Sequence, residues 1–252
     1  MGWDPRVLVA SPLGRTVVPM LAGAFPEATV RLAEDRDAVH REVTQRFRFD
    51  VVVADLVWNR PELEFCFDGL DLVDILGAAD RPAPVIIATQ GHSMERDLLE
   101  EARLRPEVYS VFHRAAGTDD LPAMIRDAAI GKRRNGSAAP SAVSSVSRNR
   151  PLYEAFRGRR GETAARMAGA IAVGRATDGA SLAAAAGVAL NTATKVTTHY
   201  LGPIIQERGE HDPALPMTLA AVYRWCGLHA RYIVSWCRRH GHADVLRCTS
   251  GS

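Results

Sequence analysis

Five short runs of apolar residues, most of them rich in β-branched side chains, alternate with helical patterns over residues 1–130. The runs cover residues 7–10, 29–32, 51–54, 85–88 and 108–112. Runs of this kind suit strands that are buried on both faces, as in a parallel sheet. The helical patterns cover residues 16–25, 37–47, 70–78, 93–104 and 119–130. These βα units predict an α/β fold with a five-stranded parallel sheet that is covered by helices on both faces.

The pattern changes after residue 131. Residues 132–151 are rich in Ser, Gly, Pro and Arg and have no apolar period, which predicts a flexible linker. Beyond it, helices are predicted at 154–156, 161–173, 178–186 and 191–201, and residues 217–240 form either one long helix or two. The predicted organisation is therefore an α/β domain at 1–131, a linker at 132–151 and an all-α domain at 152–252.

The net charge of +2 conceals an asymmetry between the two halves of the chain. Residues 1–130 contain 22 Asp and Glu against 14 Arg, whereas residues 131–252 contain 17 Lys and Arg against 7 acids. A basic surface attracts a polyanion, and an acidic surface repels it. A nucleic acid partner is therefore expected at the C-terminal half.

Composition and motifs argue against several classes of protein. No apolar run reaches the roughly 18 residues of a membrane span, and no signal peptide is visible, so we expect a cytoplasmic protein without membrane contact. The four cysteines form no CxxC pair, which argues against a disulfide framework or a structural zinc. The chain has no Gly-rich phosphate loop, GxSxG or HExxH motif, so enzymatic turnover is not expected.

Asp55 directly follows the third apolar run, at the carboxyl end of a predicted strand, where open α/β sheets build their sites. An Asp-Gly pair at 68–69 opens the next helix, Thr89 directly follows the fourth run, and Arg114 follows the fifth. With these features, residues 5–131 resemble the receiver domain of bacterial two-component response regulators. The resemblance implies a receiver-like (flavodoxin-like) fold with Asp55 as the phosphoacceptor-like residue. It also implies that Thr89 bonds the phosphate, while Arg114 replaces a lysine that pairs with it.

The predicted pocket departs from that family where magnesium ligands are expected. Receivers carry two acids after the first strand, whereas this chain has Ala10 and Ser11 there. Mg²⁺ takes several oxygen ligands, so one aspartate makes a poor magnesium site, and no cofactor is expected. Glu62 and Glu64 lie in an unusually long loop nearby. They either replace the missing ligands or are solvated loop acids, and we favour the second interpretation.

Arg114 changes the expected chemistry of the pocket. A planar guanidinium can hold a carboxylate through two nitrogens. Our hypothesis is that Arg114 pairs with Asp55 or lies over it, and so fixes the domain in one state without phosphate. Asp55 is then either a retained structural carboxylate or a working phosphoacceptor, and we favour the first.

Residues 179–201 have the layout of a helix-turn-helix. Small residues at 183–186 permit close helix crossing, Gly187 makes the turn, Val188 fills the core, and Asn191 caps the second helix. The spacing resembles that of LuxR-type effector domains, which often follow receivers. The polar residue types predict a DNA-binding set on the second helix: Asn191, Thr192, Thr194, Lys195, Thr198 and His199.

Two features depart from the LuxR-type pattern. The second helix carries one lysine, so affinity would depend on five arginines of the all-α domain: Arg157, Arg159, Arg160, Arg166 and Arg175. Gly202 and Pro203 should end or kink the helix. The alternative interpretation of the segment is an alanine-rich packed helix without DNA contacts.

The last predicted helices carry further candidate side chains. His240, His242 and Cys237 allow a metal site, but ordinary surface histidines are favoured. An aromatic set fits a core or dimer interface better than a ligand cage: Tyr223, Trp225, Tyr232 and Trp236.

The combined features predict a DNA-binding transcriptional regulator of response-regulator type. It is expected to act as a homodimer on double-stranded DNA and to be controlled independently of aspartate phosphorylation, through a small-molecule or protein effector. Two alternatives stay open. One is a pseudo-receiver interaction module that does not bind DNA, and the other is a conventional phosphorylated response regulator.

Overall fold

The computed structural model describes residues 4–45, 47–60, 65–131 and 150–246. The chain divides into two compact units, Met1–Ala138 and Ala139–Ser252. Most of the predicted linker at 132–151 lies outside the described residues. No helix of the described ranges is long and apolar enough to cross a membrane.

The first unit is built on five strands: β1 (Arg6–Ala10), β2 (Thr29–Ala33), β3 (Val51–Asp55), β4 (Val85–Thr89) and β5 (Val108–His113). They form one sheet in the order β2-β1-β3-β4-β5, and all neighbours pair in parallel. Every residue of β3 and β4 is buried, as expected of continuous apolar runs. The predicted five-stranded parallel sheet is confirmed.

Five helices flank the sheet: α1 (Val18–Ala24), α2 (Arg36–Thr44), α3 (Gly69–Ala78), α4 (Arg96–Leu104) and α5 (Leu121–Ala129). One face of the central strands packs against α1 and α5 in a core that includes Val53, Leu21 and Ile125. Asp68 caps α3 by accepting the backbone N–H groups of Leu70 and Asp71. This aspartate therefore fixes the start of α3 beside the end of β3.

The strand order determines where a site can form. The chain leaves β1 towards β2 but leaves β3 towards β4, so a crevice opens at the carboxyl ends of β1 and β3. Ala10 pairs with Ala54 in this register, and Asp55 pairs with Ala88. Helix α3 approaches closely at Gly69, where an added Cβ would lie 2.7 Å from the carbonyl oxygen of Asp55. The residues that follow β1, β3 and β4 thus meet at one edge.

The second unit is helical throughout its described part. Its α-helices are α6 (Leu152–Ala155), α7 (Gly158–Ala172), α8 (Gly179–Ala186), α9 (Leu190–Ala193), α10 (Leu201–Glu207), α11 (Leu219–Leu228) and α12 (Ala230–Arg239). Helix α7 packs against α8, α11 and α12. It can do so closely because it presents small residues, and at Gly169 an added Cβ would lie 2.8 Å from Cys237 Sγ. Residues 217–240 form two helices that meet at His229.

The prediction of one continuous helix at 191–201 is wrong. Helix α9 ends at Ala193, a π-helical turn follows at Val196–Tyr200, and α10 continues the chain. Tyr200 has φ −116° and ψ −84°, outside the α-helical region. Pro203 lies in the first turn of α10, so the Gly202-Pro203 pair kinks the path of the chain rather than ending it.

Glu210 joins several elements of the helical unit. Its carboxylate accepts hydrogen bonds from Arg208 Nε at 3.0 Å and from Trp225 Nε1 at 2.7 Å, and it lies 3.2 Å from His229 Nε2. Burial alone would raise the pKa of Glu210, but the hydrogen bonds from His229, Arg208 and Trp225 outweigh it. The pKa is held far below its ordinary value, so Glu210 stabilises the loop between α10 and α11 as an anion.

Glu210→Gln is expected to lower the free energy of unfolding by roughly 2 kcal/mol at pH 7, because it weakens the neutralisation of the buried Arg208. The folded-state pKa is depressed, so this stability is present above the unfolded-state carboxyl pKa of about 4.3 and is lost as the pH falls below it. The difference between wild type and variant should therefore shrink in acid. Urea unfolding between pH 3 and pH 7 measures it. The exposed Glu207, changed to Gln, is the matched control, and a pH-independent difference would contradict the explanation.

Candidate functional site

Asp55 lies at the carboxyl edge of the sheet, where side chains that follow β1 and β5 contact its carboxylate. Ser11 donates its hydroxyl to Asp55 Oδ2 at 2.5 Å. Arg114 Nη2 donates to Asp55 Oδ1 and to Ser11 Oγ, the latter at 3.2 Å. Ser11 Oγ also accepts the backbone N–H of Leu13 at 3.1 Å. The structure therefore brings Ser11 and Arg114 together on one carboxylate, and a single guanidinium nitrogen makes both arginine contacts.

Burial disfavours a negative charge on Asp55, whereas neighbouring groups of opposite charge or with hydrogen-bond donors stabilise it. Asp55 is 8% exposed. Burial raises the pKa of its carboxyl group above the ordinary value, and the charge of Arg114 and the hydrogen bond from Ser11 offset this only in part. The nearby carboxylate of Glu95 raises the pKa further. Without Arg114, burying the charged Asp55 carboxylate would cost free energy of folding.

Thr89 is engaged by Glu95, a residue that the sequence analysis did not single out. The Thr89 hydroxyl donates to Glu95 Oε2, and Glu95 is 3% exposed. The same carboxylate oxygen accepts the backbone N–H groups of Gly91 at 2.8 Å and His92 at 3.3 Å. The Thr89 hydroxyl, which the receiver resemblance predicts to bond a phosphate, therefore donates to Glu95 instead. The available sequence signal was its position three residues after His92, which is the spacing of a capping box.

The side chains that line this pocket offer few free oxygen ligands for a magnesium ion. Ala10 offers a methyl group, and Ser11 already donates to Asp55. Asp55 and Glu95 both line the pocket, and both accept hydrogen bonds from protein groups. Glu62 and Glu64 lie outside the described residues. In the part of the chain that the structure covers, no group of three or more His, Cys, Asp or Glu could hold a metal.

Arg114→Met is expected to lower the free energy of unfolding by roughly 2 kcal/mol at pH 7, because the buried Asp55 carboxylate loses its positive partner. The pKa of Asp55 should rise further, and NMR titration of its carboxyl carbon measures this. Because the folded state then takes up the proton more readily than the unfolded state, the loss of stability should diminish as the pH falls.

Asp55→Asn in the Arg114→Met background should recover most of that loss, since it removes the buried charge itself. The exposed Arg103, changed to Met, is the control and should shift stability by less than about 0.5 kcal/mol. Equal losses for Arg114→Met and the double variant would show that the ion pair is not the cause.

The helix-turn-helix segment is fixed at both ends of its first helix. Asp178 caps α8 by accepting the N–H of Ser181 at 2.7 Å. Gly187 ends α8 with φ 64°, a left-handed conformation that favours glycine. Arg166 Nε donates to the carbonyl oxygen of Ala186 at 2.9 Å, which ties the end of α8 to α7. The segment therefore has the predicted helix and turn.

Two predicted roles within this segment are wrong. Asn191 does not cap the second helix, because α9 begins after Ala189 and contains Asn191 in its first turn. Val188 is half-buried, whereas Ala193 and Val196 are the buried residues of the second helix. The second helix starts two residues earlier than the spacing suggested, which places Asn191 inside it and at the surface.

The predicted DNA-binding side chains lie largely at the surface. Five of them are exposed and Thr192 is half-buried; the exposed ones are Asn191, Thr194, Lys195, Thr198 and His199. The Thr194 hydroxyl donates to the carbonyl oxygen of Asn191 at 3.1 Å, and His199 Nδ1 lies 2.7 Å from Thr198 Oγ1. The polar side of the segment is therefore presented to solvent.

The five arginines that were expected to support affinity differ in their contacts. Arg166 pairs with Asp244 at 2.6 Å, and Arg175 Nη1 donates to the carbonyl oxygens of Asp244 and Val245 at 2.9 Å. These two hold the final 3₁₀ turn, Ala243–Leu246. Arg160 donates to the carbonyl oxygen of His199. Arg157 and Arg159 are exposed at the start of α7.

The histidines and aromatic residues of the last helices serve packing. The rings of His240 and His242 stack on Trp236 at 4.2 and 5.5 Å between centroids. Cys237 Sγ donates to the carbonyl oxygen of Ala165, and burial raises the pKa of its thiol to about 12. Of the aromatic set, Trp225, Tyr232 and Trp236 are buried and Tyr223 is half-buried.

Comparison with known proteins places this fold among solved structures. The sequence matches no protein-family model and no curated protein. RcsB from Salmonella enterica serovar Typhimurium, bound to promoter DNA in the presence of a phosphomimetic, aligns with a TM-score of 0.52 and 13% identity over 90% of this chain and 99% of that one. Full-length FixJ from B. japonicum aligns with a TM-score of 0.41 and 18% identity over 90% of this chain and 97% of that one. At 13% identity the likeness to the RcsB structure shows the fold, which is a receiver-like sheet followed by a helical domain.

Proposed function

We propose that the chain is a DNA-binding transcriptional regulator of response-regulator type, controlled without phosphorylation of Asp55. The observation that carries the proposal is the exposed polar side of residues 191–199, which follow α8 and the turn at Gly187. Lys195 and His199 are exposed there, and Arg160 reaches the backbone of His199 from the start of α7. Arg157 and Arg159 are exposed at the start of the same helix and add positive charge to this unit.

Charge supports double-stranded DNA as the partner. Residues 131–252 carry 17 Lys and Arg against 7 acids. Lysine and arginine contacts to phosphates supply most of the affinity for DNA, while threonine, asparagine and histidine can donate to phosphates or base edges. Two copies of such a domain suit paired half-sites, so the proposed active form is a homodimer.

Gel retardation with genomic DNA fragments at several salt concentrations tests the DNA-binding proposal. The full chain should form a specific complex that weakens as salt rises. Lys195→Ala should weaken binding and reduce the slope of log affinity against log salt by about one. Arg224, exposed on α11, is the control, and Arg224→Ala should leave both quantities unchanged. No retarded complex at low salt would reject DNA binding and favour the alternative of an interaction module.

The receiver pocket supports control by something other than a phosphoryl group. Phosphoryl transfer depends on a cation to neutralise the developing charge, and the acids that would hold Mg²⁺ are replaced by Ala10 and Ser11. The Asp55 carboxylate is bound by Ser11 and Arg114, and the Thr89 hydroxyl by Glu95. A small-molecule or protein effector is therefore the proposed input.

Incubation with acetyl phosphate and Mg²⁺, followed by intact mass measurement, tests this second part. The mass of the full chain should stay unchanged, because Ala10 and Ser11 replace the acids that would hold Mg²⁺ and the Thr89 hydroxyl is bound by Glu95. A single-phosphoryl adduct that disappears in Asp55→Ala would instead establish a conventional phosphorylated regulator. Asp80→Ala, at a distant turn of the same unit, is the control for non-specific acylphosphate formation.

A further inference from the structure

The carbonyl oxygen of His199 is left without its helical donor by a proline. In an α-helix, the N–H of each residue donates to the carbonyl oxygen four residues earlier. His199 lies in the π-helical turn just before α10. The residue that would donate to its carbonyl oxygen if α-helical pairing ran back through this junction is Pro203, which has no N–H. Pro203 lies in the first turn of α10, so the missing hydrogen bond falls at the junction between the π-helical turn and α10.

Arg160 supplies a donor to that oxygen from another helix. Its Nε donates to the carbonyl oxygen of His199 at 2.8 Å, and its Nη2 donates to the same atom. Arg160 lies in the first turn of α7, which is the helix that α8 packs against. One side chain therefore connects the scaffold helix to the backbone of the second helix of the helix-turn-helix.

The backbone around His199 has little freedom to find another partner. At Gly202 an added Cβ would lie 1.7 Å from the carbonyl oxygen of Thr197, so the chain is already in close contact with itself there. Val196 and Leu201, on either side of the kink at Tyr200, are buried. Lys195 and His199 occupy the exposed side of this turn. Their placement thus depends on how the π-helical turn is held.

We propose that Arg160 is a positioning residue that replaces the hydrogen bond withheld by Pro203 and so orients the segment bearing Lys195 and His199 towards DNA. This rests on the proposed DNA-binding function. It assigns Arg160 a role different from that of its exposed neighbour Arg159, which would contact phosphate. Guanidinium suits the task because two of its N–H groups can converge on one carbonyl oxygen.

A double-mutant cycle between Arg160 and Pro203 in the full chain tests the contact without DNA. Arg160→Met should increase the hydrogen-exchange rates of peptides within residues 190–207 by about three- to tenfold, because a charge-assisted hydrogen bond is lost. Pro203→Ala restores an N–H to the helix, so in that background Arg160→Met should have a much smaller effect. Arg160→Lys should give an intermediate rate, since an ammonium can still donate to one carbonyl. Equal increases in the two backgrounds, or none in either, would overturn the proposal.

Salt-dependent DNA binding separates a positioning role from a phosphate contact. Arg160→Met should weaken binding while leaving the slope of log affinity against log salt unchanged, and Pro203→Ala should restore part of the affinity. Arg159→Ala should reduce that slope by about one. A reduced slope in Arg160→Met would assign Arg160 to phosphate and overturn the positioning role. If the wild type binds no DNA, the proposed function fails, whereas the exchange cycle still decides whether Arg160 replaces the missing donor.

Discussion

The buried carboxylate of Asp55 constrains the whole edge of the sheet around it. It is placed there by β3, whose residues are all buried, and it is bound by Ser11 after β1 and Arg114 after β5. A buried anion is costly unless a cation and hydrogen-bond donors surround it. The strand β3 and the segments that follow β1 and β5 are therefore joined at this edge by contacts to one carboxylate.

On the other side of the pocket, a second buried carboxylate is also bound by groups of the chain itself. Glu95 accepts the Thr89 hydroxyl and backbone N–H groups of the loop that follows β4. Groups that could bind an external oxyanion are thereby satisfied within the chain. This internal pairing is the physical basis for proposing an input other than phosphorylation. It does not require the fold to depart from the receiver arrangement.

Arginine side chains play a comparable structural part in the helical unit. Arg166 binds the carbonyl oxygen at the end of α8, Arg175 binds the last 3₁₀ turn, and Arg160 binds the backbone of His199. Each serves a carbonyl oxygen at or near a helix end or kink, where helical donors are missing. The basic residues of this half are thus divided between those that hold its own backbone and those left at the surface, which the proposed function would use to bind a polyanion. Counting basic residues alone overstates the second use.

The sequence by itself determined the strands, the parallel sheet, the division into α/β and helical parts, and the placement of Asp55 at a strand end. These follow from local apolar patterns and from the rule that parallel strands end at the same edge. It also indicated the turn at Gly187 and a disturbance at Gly202-Pro203, because glycine and proline act on the backbone directly. Only the tertiary structure decided that Glu95 engages Thr89, that Asn191 lies within a helix rather than at its cap, and which arginines are already bound. Those outcomes depend on contacts between segments far apart in the chain, or on a shift of a residue or two in a helix start, and local periodicity carries no information about either.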